Sequence, residues 1–242
     1  MPVNTKKCGV LKFSRYNDPE ADKAYQLFHE NLTQKMQEKD LGVLISTDFK
    51  FCEQINAIVG RAIRVYGWLV RSLVSRDRIT IIKIYKTLIR PILEYASTIW
   101  SPHRQTYVRK IEKVQRKVTK FAFNWSSLYT YETRLSLLNL PTLKWRRLYL
   151  DLLMVHRIMH GNERFRSEMF LLHSEQSELN LRRHRFTIYK RPFKSDIFKY
   201  HFVNRVVDQW NALPIDLLDI GDFKVFKKHL KAHLLISSEP YK

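Results

Sequence analysis

The stretch Arg104-Gln105-Thr106-Tyr107-Val108-Arg109-Lys110-Ile111-Glu112-Lys113-Val114-Gln115-Arg116-Lys117-Val118-Thr119-Lys120-Phe121-Ala122-Phe123 decides the fold class of this chain. Val108, Ile111, Val114, Val118 and Phe121 recur at steps of three and four, which makes one stripe of an α-helix. The other faces carry Arg109, Lys110, Lys113, Arg116, Lys117 and Lys120, and Glu112 is the only acid between Arg104 and Phe123. The spacing predicts an amphipathic helix with a basic polar side. Arg109, Lys113, Arg116 and Lys120 stand at i, i+4, i+7 and i+11, a line of cations suited to contact with phosphates, which need spaced positive charge and no base-reading group. The same line would also serve as a solvated face.

Helical spacing extends in both directions. Ile55, Ile58, Val59, Ala62, Ile63, Tyr66 and Leu69 form one stripe, with Arg61, Arg64 and Arg71 off it. Asp77 can cap a following helix that is apolar around most of its circumference, from Ile81 to Ala96, with Pro91 in its middle; the missing donor and the crowded carbonyl four residues back predict a kink or break at Arg90. Downstream, a short helix is expected around Tyr131 to Leu138 and a longer one from Thr142 to His160, closed by Gly161. Residues 162–195 lose the period and read as a basic, irregular linker. Helical spacing returns from Ile197 through Trp210 and from Phe223 to Leu234 as a C-terminal pair. Before Asp48 the pattern differs: Cys8 to Phe13 and Asp40 to Ser46 read as strands, with Asn17-Asp18-Pro19 as a turn between them. The expectation is a mainly α fold, a multi-helix bundle preceded by a short β-hairpin, divided at 1–47, 48–161, 162–195 and 196–242. Tyr85, Tyr95, Trp100, Trp145 and Trp210 lie on apolar faces and are expected in the core.

Composition narrows the partners. A 242-residue chain with 45% apolar and 13% aromatic residues can build a real core. Its 43 Lys and Arg against 23 Asp and Glu leave a formal charge of +20, so polyanions are its natural partners. The basic residues recur along several segments among aromatics, which favours nucleic acid over a membrane surface. Arg182, Arg183 and Arg185 beside Phe186 and Tyr189 are candidates for a single-strand stacking surface, or for a solvated linker. Cys8 and Cys52 fit neither a disulfide framework nor a metal-binding pair. With no apolar signal core and no uncharged run of about 18 residues, an intracellular, soluble protein of nucleus or cytoplasm is expected, without a membrane partner.

Catalytic chemistry is absent from the pattern. Two-metal phosphoryl transfer needs clustered carboxylates, and the chain contains no Asp-Asp pair. Asp216, Asp219 and Asp222 flank a turn and a helix start, where capping explains them. His156 and His160 stand one turn apart, but Arg157 occupies the place where a zinc protease has its Glu. No glycine-rich phosphate loop or nucleophile elbow is present.

Four segments carry a resemblance in register: Val3 to Phe13; Lys39-Asp40-Leu41-Gly42-Val43-Leu44-Ile45; Tyr85 to Pro91 running through Glu94-Tyr95 to Trp100-Ser101-Pro102; and Arg205-Val206-Val207-Asp208-Gln209-Trp210-Asn211-Ala212-Leu213-Pro214. Together they resemble the C-terminal part of a non-LTR retrotransposon reverse transcriptase of the jockey-like and CR1-like group. The resemblance implies the end of a polymerase palm, a thumb-like helical bundle and C-terminal helices, an RNA-directed DNA polymerase by ancestry whose catalytic acids would precede residue 1. It implies that Lys7 corresponds to a lysine beside the nucleotide site, that Lys39, Leu41 and Gly42 belong to a primer-grip-like hairpin, and that the helices after Asp48 rest on nucleic acid. Bland roles stand beside these: an exposed strand lysine for Lys7 and a turn or bulge glycine for Gly42. On this reading the chain does not polymerise by itself, uses no cofactor (Mg²⁺ belonging to the full-length ancestor) and binds RNA, DNA or their hybrid. The alternatives are a full polymerase whose gene model was cut short, and an inert or protein-interacting relic.

Overall fold

The computed structural model describes residues 8–13, 24–74, 77–161, 163–172 and 184–237. Lys7, Arg182, Arg183 and the Asn17-Asp18-Pro19 turn lie outside the described residues. The chain divides into two units, Met1–Ala57 and Ile58–Lys242, so the boundary falls inside the first helix and not at residue 47.

The first unit holds small strands. β1 (Gly9–Leu11) pairs in parallel with β4 (Thr33–Lys35), while β2 (Gln26–Leu27) and β3 (Glu30–Asn31) form a minimal antiparallel pair. β5 (Gln37–Asp40) and β6 (Val43–Ser46) make a hairpin with Asp40 opposite Val43 and Lys39 opposite Leu44. The single strand expected over Asp40 to Ser46 is therefore a turn followed by a strand. Leu41 and Gly42 occupy the two loop positions with φ of +44° and +88°, the positive values a primed two-residue turn demands. Gly42 adopts its value without penalty, whereas Leu41 pays a steric cost of about 1 kcal/mol.

The second unit is helical, in keeping with a mainly α chain. α1 (Cys52–Ser72) starts in the first unit and runs into it. Ile55, Ile58, Val59, Ala62, Tyr66 and Leu69 are buried and Arg61, Arg64 and Arg71 exposed, as the spacing predicts; Ile63, at the margin of the stripe, is exposed. Asp77 caps α2 (Arg78–Ile84), its carboxylate accepting from the Thr80 N–H at 2.8 Å. The break at Pro91 takes a particular form. Residues Tyr85–Ile89 are π-helical, and the Arg90 N–H reaches back five residues to the Tyr85 carbonyl before α3 (Arg90–Glu94) resumes. The wider turn removes the four-residue register that the proline ring would crowd. The helix then ends at Glu94, two residues short of the apolar pattern. Ala96 takes a left-handed φ of +51° and α4 (Ser97–Trp100) begins. Tyr95, at this corner, is 57% exposed and not in the core, whereas Tyr85, Trp100, Trp145 and Trp210 are buried.

α5 (Gln105–Ala122) is the helix of the opening stretch, with Ile111, Val114, Val118 and Phe121 buried. α6 (Tyr131–Leu137) and α7 (Leu143–Met159) start at Thr130 and Thr142, whose hydroxyls accept from the backbone N–H three residues on. Among its described residues, part of the segment expected to be a linker contributes to the core. α8 (Glu163–Met169) is helical, Phe170, Leu172 and Ile188 are buried, and Leu172 and Ile188 form an antiparallel bridge. The helix expected over Ile197 to Trp210 is three short ones, α9 (Asp196–Tyr200), α10 (Phe202–Arg205) and α11 (Val207–Asn211), followed by α12 (Ile215–Leu218) and α13 (Phe223–Ser237).

One hydrophobic cluster joins these elements, with Leu152, Val155, Phe170, Trp210, Phe226 and Leu230 at its centre. The Trp210-Asn211 pair works as a clasp on it. Trp210 Nε1–H donates to the Phe186 carbonyl at 2.9 Å, and the Asn211 amide both donates to the Ile188 carbonyl and accepts its N–H, each at 2.9 Å. Asn211 thus stands in for a strand partner that Ile188 lacks on that edge. Arg205 adds a buried tie: Nη2 donates to the Thr98 carbonyl at 2.7 Å and to Asp151 Oδ1 at 3.0 Å, and Nε donates to Asp151 Oδ2 at 3.1 Å. Desolvation pushes the Asp151 carboxyl up to about 6, against the pull of Arg205 and Arg147.

Candidate nucleic-acid interface

At 3.6 residues per turn, Arg109, Lys113, Arg116 and Lys120 fall within about 60° of arc on α5, and all four are exposed. Arg109, Lys113 and Arg116 line an open groove of about 500 Å³ that is closed on its other side by Tyr131, Thr142 and Lys144. Lys120 continues the line beyond the groove. Lys144, in the first turn of α7, joins the basic rim although nothing in its own local pattern marked it. Arg116 is partly committed: its guanidinium lies 3.9 Å above the centre of the Tyr131 ring and 3.9 Å from the exposed Glu132 carboxylate. Arg109, Lys113 and Lys120 have no carboxylate partner among the described residues.

Glu112 supplies the floor of the groove. It is buried, and its carboxylate accepts from the Tyr131 hydroxyl, from the Leu143 N–H at 3.1 Å and from Gln115 Nε2 at 3.5 Å. Gln115 extends the network, accepting from the Tyr85 hydroxyl and donating to the Tyr131 oxygen at 3.1 Å and to the Pro141 carbonyl at 3.0 Å. Burial and the neighbouring Glu112 carboxylate hold the Tyr131 phenol far above its ordinary range, and burial does the same at Tyr85. Both remain hydrogen-bond donors. Glu112 therefore sits at the positive N-terminal end of α7, which explains one acid on an otherwise basic helix. Its local sequence shows only an isolated acid; the partner 31 residues away is a tertiary fact.

The remaining candidates are dispersed. Lys39, Leu41 and Gly42 lie on the β5–β6 hairpin of the first unit, with Leu41 85% exposed at the tip. Arg185 pairs with Asp219 at 3.0 Å and lies over Phe186, whose ring turns inward against His160 and the core cluster. Phe186 is thus unavailable as a flat stacking platform. Asp222 caps α13 through the Val225 N–H at 2.8 Å, and Asp219 is held by Arg185 and by His184 at 3.2 Å. His156 Nε2 donates to the Ile220 carbonyl at 2.6 Å and His160 Nε2 to the Leu218 carbonyl at 3.1 Å, with the His156 ring stacked on Phe226. Burial lowers the pKa of both imidazoles, so this pair ties helices together as neutral rings. Among the described residues no three His, Cys, Asp or Glu side chains gather as a metal-binding group, and no helix is long and apolar enough to cross a membrane.

Compared with known proteins, the chain matches no family model, no curated protein and no solved structure.

Proposed function

We propose that this chain derives from the end of the palm, the thumb and the C-terminal helices of a non-LTR reverse transcriptase and binds RNA, DNA or their hybrid, without strong sequence preference, through the basic face of α5. The observation that carries the reading is the exposed line Arg109, Lys113, Arg116 and Lys120, joined by Lys144 across a groove open to solvent. Such a line meets a phosphate backbone and lacks a built pocket for a single base. The four segments of resemblance support the ancestry, and the +20 charge supports a polyanion as partner. No polymerase chemistry is assigned to these 242 residues, because two-metal catalysis needs paired carboxylates and the sequence has no Asp-Asp.

The test is charge reversal with a control of equal charge. Fluorescence anisotropy of labelled single strand, duplex and RNA–DNA hybrid is measured for the wild type, for Arg109→Glu/Lys113→Glu/Lys120→Glu, and for Lys194→Glu/Lys224→Glu/Lys228→Glu. Loss of binding in the α5 variant alone is expected. Equal losses in both variants would reduce the interaction to net charge and refute the assignment to α5.

A further inference from the structure

Lys86 and Arg90 stand one turn apart where the π-helical turn passes into α3, and Lys227 and Lys231 stand one turn apart on α13. With Arg146 of α7 they line a single cavity of about 470 Å³. Five cations from four elements thus converge on one space. Like charges at i, i+4 oppose helix formation by a few tenths of a kcal/mol per pair, so the arrangement costs stability if nothing offsets it. Among the described residues Glu94 is the carboxylate joined to this set, chelated by Arg146 with Nη2 at 2.7 Å from Oε2, and lying 3.8 Å from Arg90 Nε. Lys86, Lys227 and Lys231 have no acidic partner among the described residues.

Electrostatics says the same from another side. Burial, then the fields of Arg90, Lys231 and Arg146, lower the Lys86 pKa. Lys86 and Lys231, from different helices, therefore feel each other across the cavity. The inner wall is Trp145 and Tyr149, stacked at 5.4 Å, with Leu153 beside them. Their polar atoms are spent elsewhere: Trp145 Nε1–H donates to the Leu234 carbonyl and the Tyr149 hydroxyl to the Lys227 carbonyl, both at 3.3 Å. A single carboxylate would leave most of this charge unmatched, whereas adjacent phosphoryl groups bring several negative charges and many acceptor oxygens into a small volume.

We propose that this cavity binds clustered phosphate oxygens, either of a free polyphosphate or of a nucleic-acid strand, as a site separate from the α5 groove. It shares no residue with that groove, so it stands or falls independently of the function proposed above.

The test uses the full chain, with inorganic tripolyphosphate in one arm and a DNA oligonucleotide lacking terminal phosphates in the other, both followed by calorimetric titration. Lys86→Ala/Lys231→Ala should weaken tripolyphosphate binding by about tenfold for each lysine removed, while Arg109→Glu/Lys113→Glu/Lys120→Glu leaves it unchanged. A matching loss in the oligonucleotide arm identifies the source as nucleic-acid phosphate; a loss confined to tripolyphosphate identifies a free polyphosphate. As a readout in the unmutated protein, tripolyphosphate should protect Lys86 from amine acylation detected by mass spectrometry. Absence of tripolyphosphate binding at low salt, undiminished binding by the lysine variant, or no protection of Lys86 would each overturn the proposal.

Discussion

Removing Glu112 should weaken the protein although it makes the basic helix more basic. The carboxylate holds the Tyr131 hydroxyl and the Leu143 N–H in a buried place. Glu112→Ala leaves both donors without their acceptor, at about 1–3 kcal/mol for each buried group left unpaired. It also removes a negative charge from the N-terminal end of α7, worth about 0.3–1 kcal/mol. A loss of about 3–5 kcal/mol follows, a large share of the total stability of a domain. Glu112→Gln keeps an acceptor and gives up the charge, so about 1–2 kcal/mol is expected. Glu132→Gln is the control, since that carboxylate is exposed and 3.9 Å from Arg116, and pairs of this kind contribute under about 1 kcal/mol. Urea titrations followed by tryptophan fluorescence and circular dichroism give the three midpoints at constant slope. If Glu112→Ala costs no more than Glu132→Gln, the buried network does not hold α7, and Glu112 is an ordinary surface acid.

Three further outcomes follow from the packing. Asn211→Ala should cost about 1–2 kcal/mol in the same titration, because two hydrogen bonds to the buried Ile188 backbone are lost from a side chain that remains partly solvated. Arg205→Lys should destabilise nearly as much as Arg205→Met, since an ammonium cannot reproduce the fork that spans Asp151 and the Thr98 carbonyl; a lysine variant equal to the wild type would contradict that geometry. The Asp151 carboxyl, raised from 3.8 to about 6, favours the folded state while protonated. This contribution is complete below about pH 3, shrinks as the unfolded chain ionises and is gone above about pH 7, so the stability of the wild type relative to Asp151→Asn should fall by about 3 kcal/mol between those limits. A difference that stays flat with pH would show that the folded and unfolded states hold this proton alike.

Helix existence was legible wherever an apolar stripe and a cap coincided. Asp77 and Thr142 head helices because their oxygens meet an N–H three residues on, an interaction encoded within four residues. What escaped depends on distant partners. Phe170, Leu172 and Ile188 show no period, because each is a single anchor laid across the cluster and not one face of a regular element. Asp40 to Ser46 reads as one strand with Gly42 as a turn or bulge candidate, and nothing local shows that Leu41 accepts a positive φ that its side chain opposes. Pro91 announced a disturbance, but a kink and a π-helical turn satisfy the same local constraint, and the local sequence does not choose between them; the turn is π-helical, with Tyr85 and Ile89 buried. The α5 cations were readable because helical spacing alone aligns them. The cavity around Lys86 was not, because its charges come from residues 86 to 231 and meet only in the fold.

If α5 presents an organised phosphate-binding face, the salt dependence of duplex binding must show it. The slope of log Kobs against log salt, measured by anisotropy, reports the number of phosphates neutralised at about −0.9 for each. The wild type is expected to show a steep negative slope, reduced by about 2.7 when Arg109, Lys113 and Lys120 are reversed to Glu. Binding that is absent at low salt, or a slope the reversal leaves unchanged, would contradict it.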